Sequence, residues 1–254
     1  MNKRTICLCA VLCALLVMTS VSFAELLVYL PLDEGKGKAP QDASGNGHHA
    51  EFVADPAWVD GKFGKALEFK GQKWISMPTP HPEVFNEEFT LVVYIKPPLA
   101  GNQWQQIVRC NPVAGTGRNS WFVNVAGFMS WRGFVGGAWT VWSTTPGGLI
   151  KPDEWTHLAI TSDKKNFVQF INGKKEQEDK FVQGDGAIEI IGLGWGGSSG
   201  GESYDGAIDE FAIFDEVLDD ALISDIMDLG VTDALAVESR NKLATTWGRV
   251  KLGR

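Results

Sequence analysis

Apolar residues in this chain come in short runs, many of them alternating with Thr, His, Ser or Gln, and Gly, Pro, Asn and Asp separate one run from the next. A period of two, repeated with almost no helical spacing, predicts an antiparallel all-β fold. Strands are expected at residues 26–30, 49–53, 66–69, 74–77, 89–95, 105–109, 120–125, 129–134, 138–142, 156–162, 167–171, 187–191 and 207–214. Thirteen short strands suit a two-sheet sandwich of the jelly-roll kind. Asn172-Gly173 follows one of these runs, and a pair that tolerates positive φ predicts a tight hairpin there. The single helix is expected at residues 219–229, where Leu222, Ile223, Ile226 and Leu229 recur every three or four positions and Gly230 supplies a stop.

Both ends depart from this pattern. Asn2, Lys3 and Arg4 precede an apolar run from Ile6 to Val17, and Ser22-Phe23-Ala24 ends it with small residues where a signal peptidase reads. Residues 1–24 therefore read as a cleaved signal peptide, which places the protein outside the cytoplasm, secreted or in the periplasm or cell envelope. The apolar run is shorter than the roughly 20 residues of a spanning helix, so no membrane span is expected. At the other end, residues 231–254 form a tail that either docks as an added strand through Leu243, Trp247 and Val250 or stays flexible. Docking is favoured, because Trp247 would otherwise stand in water. Residues 25–230 remain as one domain.

Charge and cysteine content narrow the partners. The formal net charge is −8, and losing Lys3 and Arg4 with the leader takes it to −10. An acidic balance argues against nucleic acid or an anionic membrane as partner. Cys7, Cys9 and Cys13 leave with the leader, so Cys110 is alone and no intramolecular disulfide can form. A domain of this length can rely on one large core instead.

Several segments occur together in a familiar order: Tyr29-Leu-Pro-Leu-Asp-Glu-Gly35, Asp42-Ala-Ser-Gly-Asn-Gly-His48, Gly61-Lys-Phe-Gly-Lys-Ala-Leu-Glu-Phe69, Phe89 to Pro97, Trp155 to Thr161, Val168 to Lys174 and Gly206 to Phe214. In this order they resemble the bacterial secreted LamG-like jellyroll domains of the concanavalin A-like lectin/glucanase superfamily, over residues 25–230. The resemblance implies a two-sheet antiparallel jelly-roll sandwich with one short C-terminal helix. It says little of function, because such folds host many activities.

The best candidate chemistry is a cation site. Asp42-Ala-Ser-Gly-Asn-Gly47 has the oxygen-bearing spacing and sixth-position glycine of the first half of an EF-hand loop, but Val53 stands where the bidentate carboxylate would be, so this is not an EF-hand. In the family it resembles, this loop and an aspartate of the last core strand commonly hold calcium. Transferred to this sequence, that gives Asp42 and Asp209 as side-chain ligands, Gly45 and His48 through their carbonyls, and Asn46 as a weaker contributor to a structural site. The alternative is a bare turn, with Asp42 bonded to its own backbone and Asn46-Gly47 as a bend. His48 and His49 have no further His or Cys at ligand spacing, which argues against a transition metal.

Tryptophan supplies a second candidate. Trp121, Trp131, Trp139 and Trp142 fall close together, with Trp104 before and Trp195 after, in a glycine-rich loop. Exposed rings on a sheet suit the C–H faces of sugars, whereas buried ones fill a core. Trp104, Trp139 and Trp195, with Gly, Gln or Asn as neighbours, are expected at the surface, and Arg109, Asn119 and Arg132 are the polar groups expected beside them. Gly192 to Gly197 and Gly196 to Gly200 fit nucleotide and nucleophile-elbow patterns in form only, since no helix start or downstream histidine follows. The alternating carboxylates of related glycoside hydrolases are missing, and Glu176, Glu178 and Asp179 follow a hairpin among lysines. The chain thus reads as a non-catalytic binding module for extracellular polysaccharide or glycoconjugate. A protein-interaction or cell-envelope structural domain is the alternative, and a glycoside hydrolase comes third.

Overall fold

The computed structural model describes residues 24–37, 39–110, 119–195 and 201–240. The expected leader, apart from Ala24, and the tail positions Leu243, Trp247 and Val250 lie outside the described residues. The strands are β1 (Leu26–Leu30), β2 (Glu51–Ala54), β3 (Ala57–Asp60), β4 (Lys65–Phe69), β5 (Trp74–Pro78), β6 (Phe89–Lys96), β7 (Trp104–Cys110), β8 (Asn119–Asn124), β9 (Phe128–Val135), β10 (Ala138–Thr144), β11 (Thr156–Ser162), β12 (Asn166–Ile171), β13 (Lys174–Lys180), β14 (Ile190–Leu193) and β15 (Gly206–Phe214). They form two antiparallel sheets packed as a jelly-roll sandwich. The eight-stranded sheet runs β13-β12-β11-β6-β15-β4-β3, with β1 also on β15, and the seven-stranded sheet runs β10-β9-β8-β7-β14-β5-β2.

The hydrophobic pattern explains this arrangement. The central strands β6 and β15 are buried along nearly their whole length, while alternate residues of the others point to the interior. Aromatic rings fill the space between the sheets: Phe85 lies 5.1 Å from Phe89 and 5.3 Å from Trp131, and Trp131 lies 5.7 Å from Phe167. The Asn172-Gly173 hairpin forms with φ of 49° and 73°. Two strands go beyond the expected thirteen. β13, Lys-Lys-Glu-Gln-Glu-Asp-Lys, has no apolar residue and is recruited by its ladder with β12, and its charges suit an exposed sheet edge. β3 is likewise an edge strand, paired to β4.

The helix α1 (Asp220–Leu229) is capped by the Asp219 carboxylate, which accepts the Leu222 N–H, and Gly230 closes it at φ 81°. It buries Leu222, Ile223 and Ile226 on the outer face of the eight-stranded sheet, against Val92, Ala159, Phe170 and Phe214. Residues 231–240 are helical too. The outer face of the eight-stranded sheet is therefore covered by a helix.

Adjacent carboxylates at a bulge in β15 brace this assembly. Asp209 Oδ2 accepts the N–H groups of Lys62 and Phe63 at 2.8 and 3.0 Å, which fixes the Gly61-Lys-Phe-Gly64 turn before β4. Glu210 accepts the Tyr29 hydroxyl at 2.7 Å and, through its other oxygen, the Val231 N–H that opens the second helical stretch. Gly61 leaves no room for a side chain: a Cβ there would stand 2.5 Å from the Lys65 carbonyl and 2.6 Å from Asp209 Oδ2.

Candidate functional site

The seven-stranded sheet turns one set of alternate residues to the core and the other outward. Its outward set is aromatic and cationic: Trp104 and Arg109 on β7, Phe122 on β8, Phe128, Arg132 and Phe134 on β9, and Trp139 on β10. These side chains gather into two clusters, each centred on a guanidinium. The Arg132 Cζ lies 3.7 Å from the Trp104 ring centre and 5.1 Å from that of Phe122, and Trp104 packs edgewise on Phe128 at 5.5 Å. The Arg109 Cζ lies 4.5 Å from the Trp195 ring and 5.7 Å from the Trp139 ring. Trp195 continues to Trp74 of β5 at 5.6 Å, and Trp139 to Phe134 at 4.9 Å. Arg109 on β7 thus reaches Trp139 on β10 over two intervening strands, a gap of roughly 14 Å between those backbones in a flat sheet. The two long side chains lean toward each other over the outer face of β8 and β9.

Trp139 is 45% exposed and its strand neighbour Val141 55%. Trp104 and Trp195 are half-buried, whereas Trp121, Trp131 and Trp142 belong to the core. Burial lowers the affinity of both guanidiniums for their proton, and the carboxylate of Glu202 opposes this at each. Asn119 does not join the face. It is 2% exposed and shares the inward side of β8 with Trp121 and Val123, its Oδ1 beside Gly133, Gly184 and Trp142 at an end of the core. The expectation for Asn119 is corrected by strand parity, because odd positions of β8 face inward. Trp74, Phe122, Phe128 and Phe134 were not picked out from sequence as face residues. The alternation of Phe128, Arg132 and Phe134 was the available signal, but which side it marked depended on Met129 and Trp131 being core.

The early loop is built around a carboxylate. Asp42 Oδ1 accepts the N–H groups of Tyr29 and Ser44 at 3.0 and 2.9 Å, and Oδ2 that of His48 at 2.8 Å. Burial would raise its pKa, but these donors hold it below the ordinary value. Asn46 bonds through Nδ2 to the carbonyls of Leu26 and Leu27, and Ala43 donates to the Tyr29 carbonyl. Tyr29 thus turns both main-chain groups toward this loop, and β1 stands between Asp42 and β15. Asp42 and Asp209 are not brought together, and among the described residues no group of three or more His, Cys, Asp or Glu side chains is placed to hold a metal. With amides rather than carbonyls converging on Asp42, the donor set does not fit a calcium ion shared with Asp209, and Gly45, Asn46 and His48 are members of an Asx-type turn. Treatment with a chelator is expected to leave the melting temperature unchanged; a clear drop, restored by added calcium, would refute this.

With this geometry in place, comparison with known proteins is informative. Residues 69–224, well over half of the chain, match the sequence family described as the concanavalin A-like lectin/glucanases superfamily. The chain belongs to this superfamily. No curated protein matches it. Solved structures similar to this chain include the binding domain of Paraclostridial Mosquitocidal Protein 1, with a TM-score of 0.64 at 18% identity over 80% of this chain and 52% of that one. Domain 4 of AbnA, a GH43 extracellular arabinanase from Geobacillus stearothermophilus solved in complex with arabinotriose, gives a TM-score of 0.62 at 20% identity over 81% of this chain and 100% of that one. The binding domain of botulinum neurotoxin DC, solved with rat synaptotagmin II, gives 0.64 at 16% identity over 80% and 51%. The chain spans about half the length of the two toxin domains. At these identities the likeness is one of fold.

Among the described residues, two of the cavities lie beside the concanavalin A-like sandwich. One, of about 280 Å³, extends the outward side of the seven-stranded sheet at β2, β5 and β14 and is lined by His49, Glu51, Ser76 and Glu189 among others. The other, of about 470 Å³, lies at the β3-β4-β15 edge of the eight-stranded sheet between Glu68, Lys70, Lys96 and Asp205, and no aromatic ring lines it. Among the described residues no helix is long and apolar enough to cross a membrane.

Proposed function

We propose that this protein is a non-catalytic carbohydrate-binding module, taking a glycan chain on the outer aromatic face of the seven-stranded sheet. The observation that supports this most is the continuous path of rings from Trp74 through Trp195 and Arg109 to Trp139 and Phe134. Sugar rings stack on such surfaces through their C–H faces while guanidinium N–H groups take hydroxyl and other oxygen atoms at the rim. The helix-covered face of the other sheet offers no comparable surface. A domain of similar fold has been captured with arabinotriose, which makes a sugar ligand a natural occupant for this architecture. A non-catalytic role is supported by the acidic residues of β13: Glu176 and Glu178 pair with Lys174 and Lys175, and Asp179 accepts the Ser143 hydroxyl, so none is poised over the aromatic face.

The test is a glycan array followed by calorimetry on the responding class. Trp139→Ala is expected to weaken binding about tenfold or more, the loss typical of an aromatic anchor, because the ring is the most exposed part of the path. Its melting temperature should stay near that of the parent, since an exposed side chain adds little to stability. Unchanged affinity in this variant, or a folded protein that binds no glycan, would defeat the proposal.

A further inference from the structure

The outer face of the seven-stranded sheet aligns its two arginines in one cross-strand row. Arg109 on β7 stands opposite Ser120 on β8, and Ser120 stands opposite Arg132 on β9. Two strand spacings, roughly 10 Å, separate the backbones of the arginines, with the serine midway. All three side chains present buried polar atoms with no partner: Nε of Arg109, Nε of Arg132 and the hydroxyl of Ser120, whose residue is fully buried. A tryptophan ring lies against each guanidinium carbon, Trp195 at Arg109 and Trp104 at Arg132. Arg109 Nη1 reaches Gln106 Oε1 at 3.2 Å.

This is unexpected in an acidic chain, with 31 Asp and Glu against 23 Lys and Arg. Buried charges ordinarily find a carboxylate. Yet the five ion pairs among the described residues all use lysine, and neither Arg109 nor Arg132 forms one. Glu202, whose charge both arginines feel, accepts the Gln106 side-chain N–H through Oε2 instead. Planar guanidinium groups without a carboxylate partner are a receptor for carboxylates.

We infer that the glycan held on this outer face is an acidic polysaccharide, whose carboxylates are received by the guanidinium groups of Arg109 and Arg132. This rests on the carbohydrate-binding reading above.

The probe is polygalacturonate, compared by calorimetry and affinity electrophoresis with the same polymer after methyl esterification, with a neutral arabinan and with dextran sulfate. The acid form should bind about tenfold or more better than its ester, the effect of one lost charge-assisted contact, and added salt should weaken it. Arg109→Gln and Arg132→Gln should each lose about as much, and Arg109→Lys should recover only part, because an ammonium keeps the charge without the fork. Equal binding of acid and ester, untouched by the arginine variants, would overturn the inference while leaving a carbohydrate-binding module. Preference for dextran sulfate over polygalacturonate would overturn the carboxylate assignment. Failure of the folded protein to bind any polysaccharide would overturn both readings. Should an arginine variant fail to fold, the comparison of acid with ester on the unaltered protein decides alone.

Discussion

Replacing Gly61 with alanine is expected to destabilise the protein by about 3–5 kcal/mol, from overpacking together with the loss of hydrogen bonds to a charged group. At this chain length that lowers the melting temperature by roughly 10 °C. The new methyl would stand 2.5 Å from the Lys65 carbonyl, 2.6 Å from the Phe63 carbonyl and 2.6 Å from Asp209 Oδ2. Two of these neighbours are backbone, and the third is a buried carboxylate whose other oxygen, Oδ1, already has no partner. Any shift that admits the methyl pulls Asp209 from the amides of Lys62 and Phe63, leaving a buried carboxyl group without partners on the outer face of the sheet, beside Tyr94. Gly45→Ala is the control. Gly45 has φ 93° but nothing within 4 Å of the added carbon, so only the left-handed backbone is penalised, at about 1–2 kcal/mol. Thermal melts of both variants measure the difference, and equal losses would show that the space around Gly61 is not what limits that turn.

Acidification is expected to produce two opposed slopes that separate cleanly in variants. His157, 1% exposed on β11 beside Tyr94, has neither ring nitrogen partnered, and burial pushes its pKa down from 6.5 to about 3. Asp209 moves the other way, up from 3.8 to about 7; burial is the main cause, the charges of Glu210 and Asp33 add to it, and the amides of Phe63 and Lys62 oppose it. Between pH 6.5 and about 4 the unfolded chain holds a proton on His157 that the folded one lacks, so stability falls on acidification by about 1.4 kcal/mol per pH unit. Over the same window the folded chain holds a proton on Asp209 that the unfolded one lacks, and stability rises by a similar amount. Burial raises Glu210 too, which adds to the side of Asp209. Asp209→Asn should therefore lose roughly 3 kcal/mol between pH 6.5 and pH 4, whereas His157→Phe should gain stability as the pH falls from 7 toward 4. Urea unfolding across this range is the measurement, and parallel profiles for the two variants would contradict the assignment.

Much of the sandwich could be read from the chain because half-buried strands alternate, and the stop signals around α1 were equally clear. The strands that escaped notice, β3 and β13, form edges. β13 is held by hydrogen bonds to β12 and has no apolar side chain to advertise it. The functional face was legible in part. Trp104, Trp139 and Trp195 stand among small or polar neighbours and reach the outer side, but Asn119 looked equivalent to Arg109 because parity along a strand does not say which side is the core. The Asp42 loop shows a different limit. Oxygen side chains around glycines can face a cation with carbonyls or wrap a carboxylate in amides, and only the backbone torsions choose. Pairing Asp42 with Asp209 from sequence also ignored β1, which the fold inserts between them.

Because α1 seals one side of the sandwich, the two ends of the described chain also share that side. Ala24 and Leu235 both pack on the cluster beneath the helix, opposite the aromatic face. A tether, surface linker or fused domain attached near either position would therefore leave from the back of the protein. Immobilised at Ala24 or Leu235, the protein would display its aromatic face outward, like a palm held open.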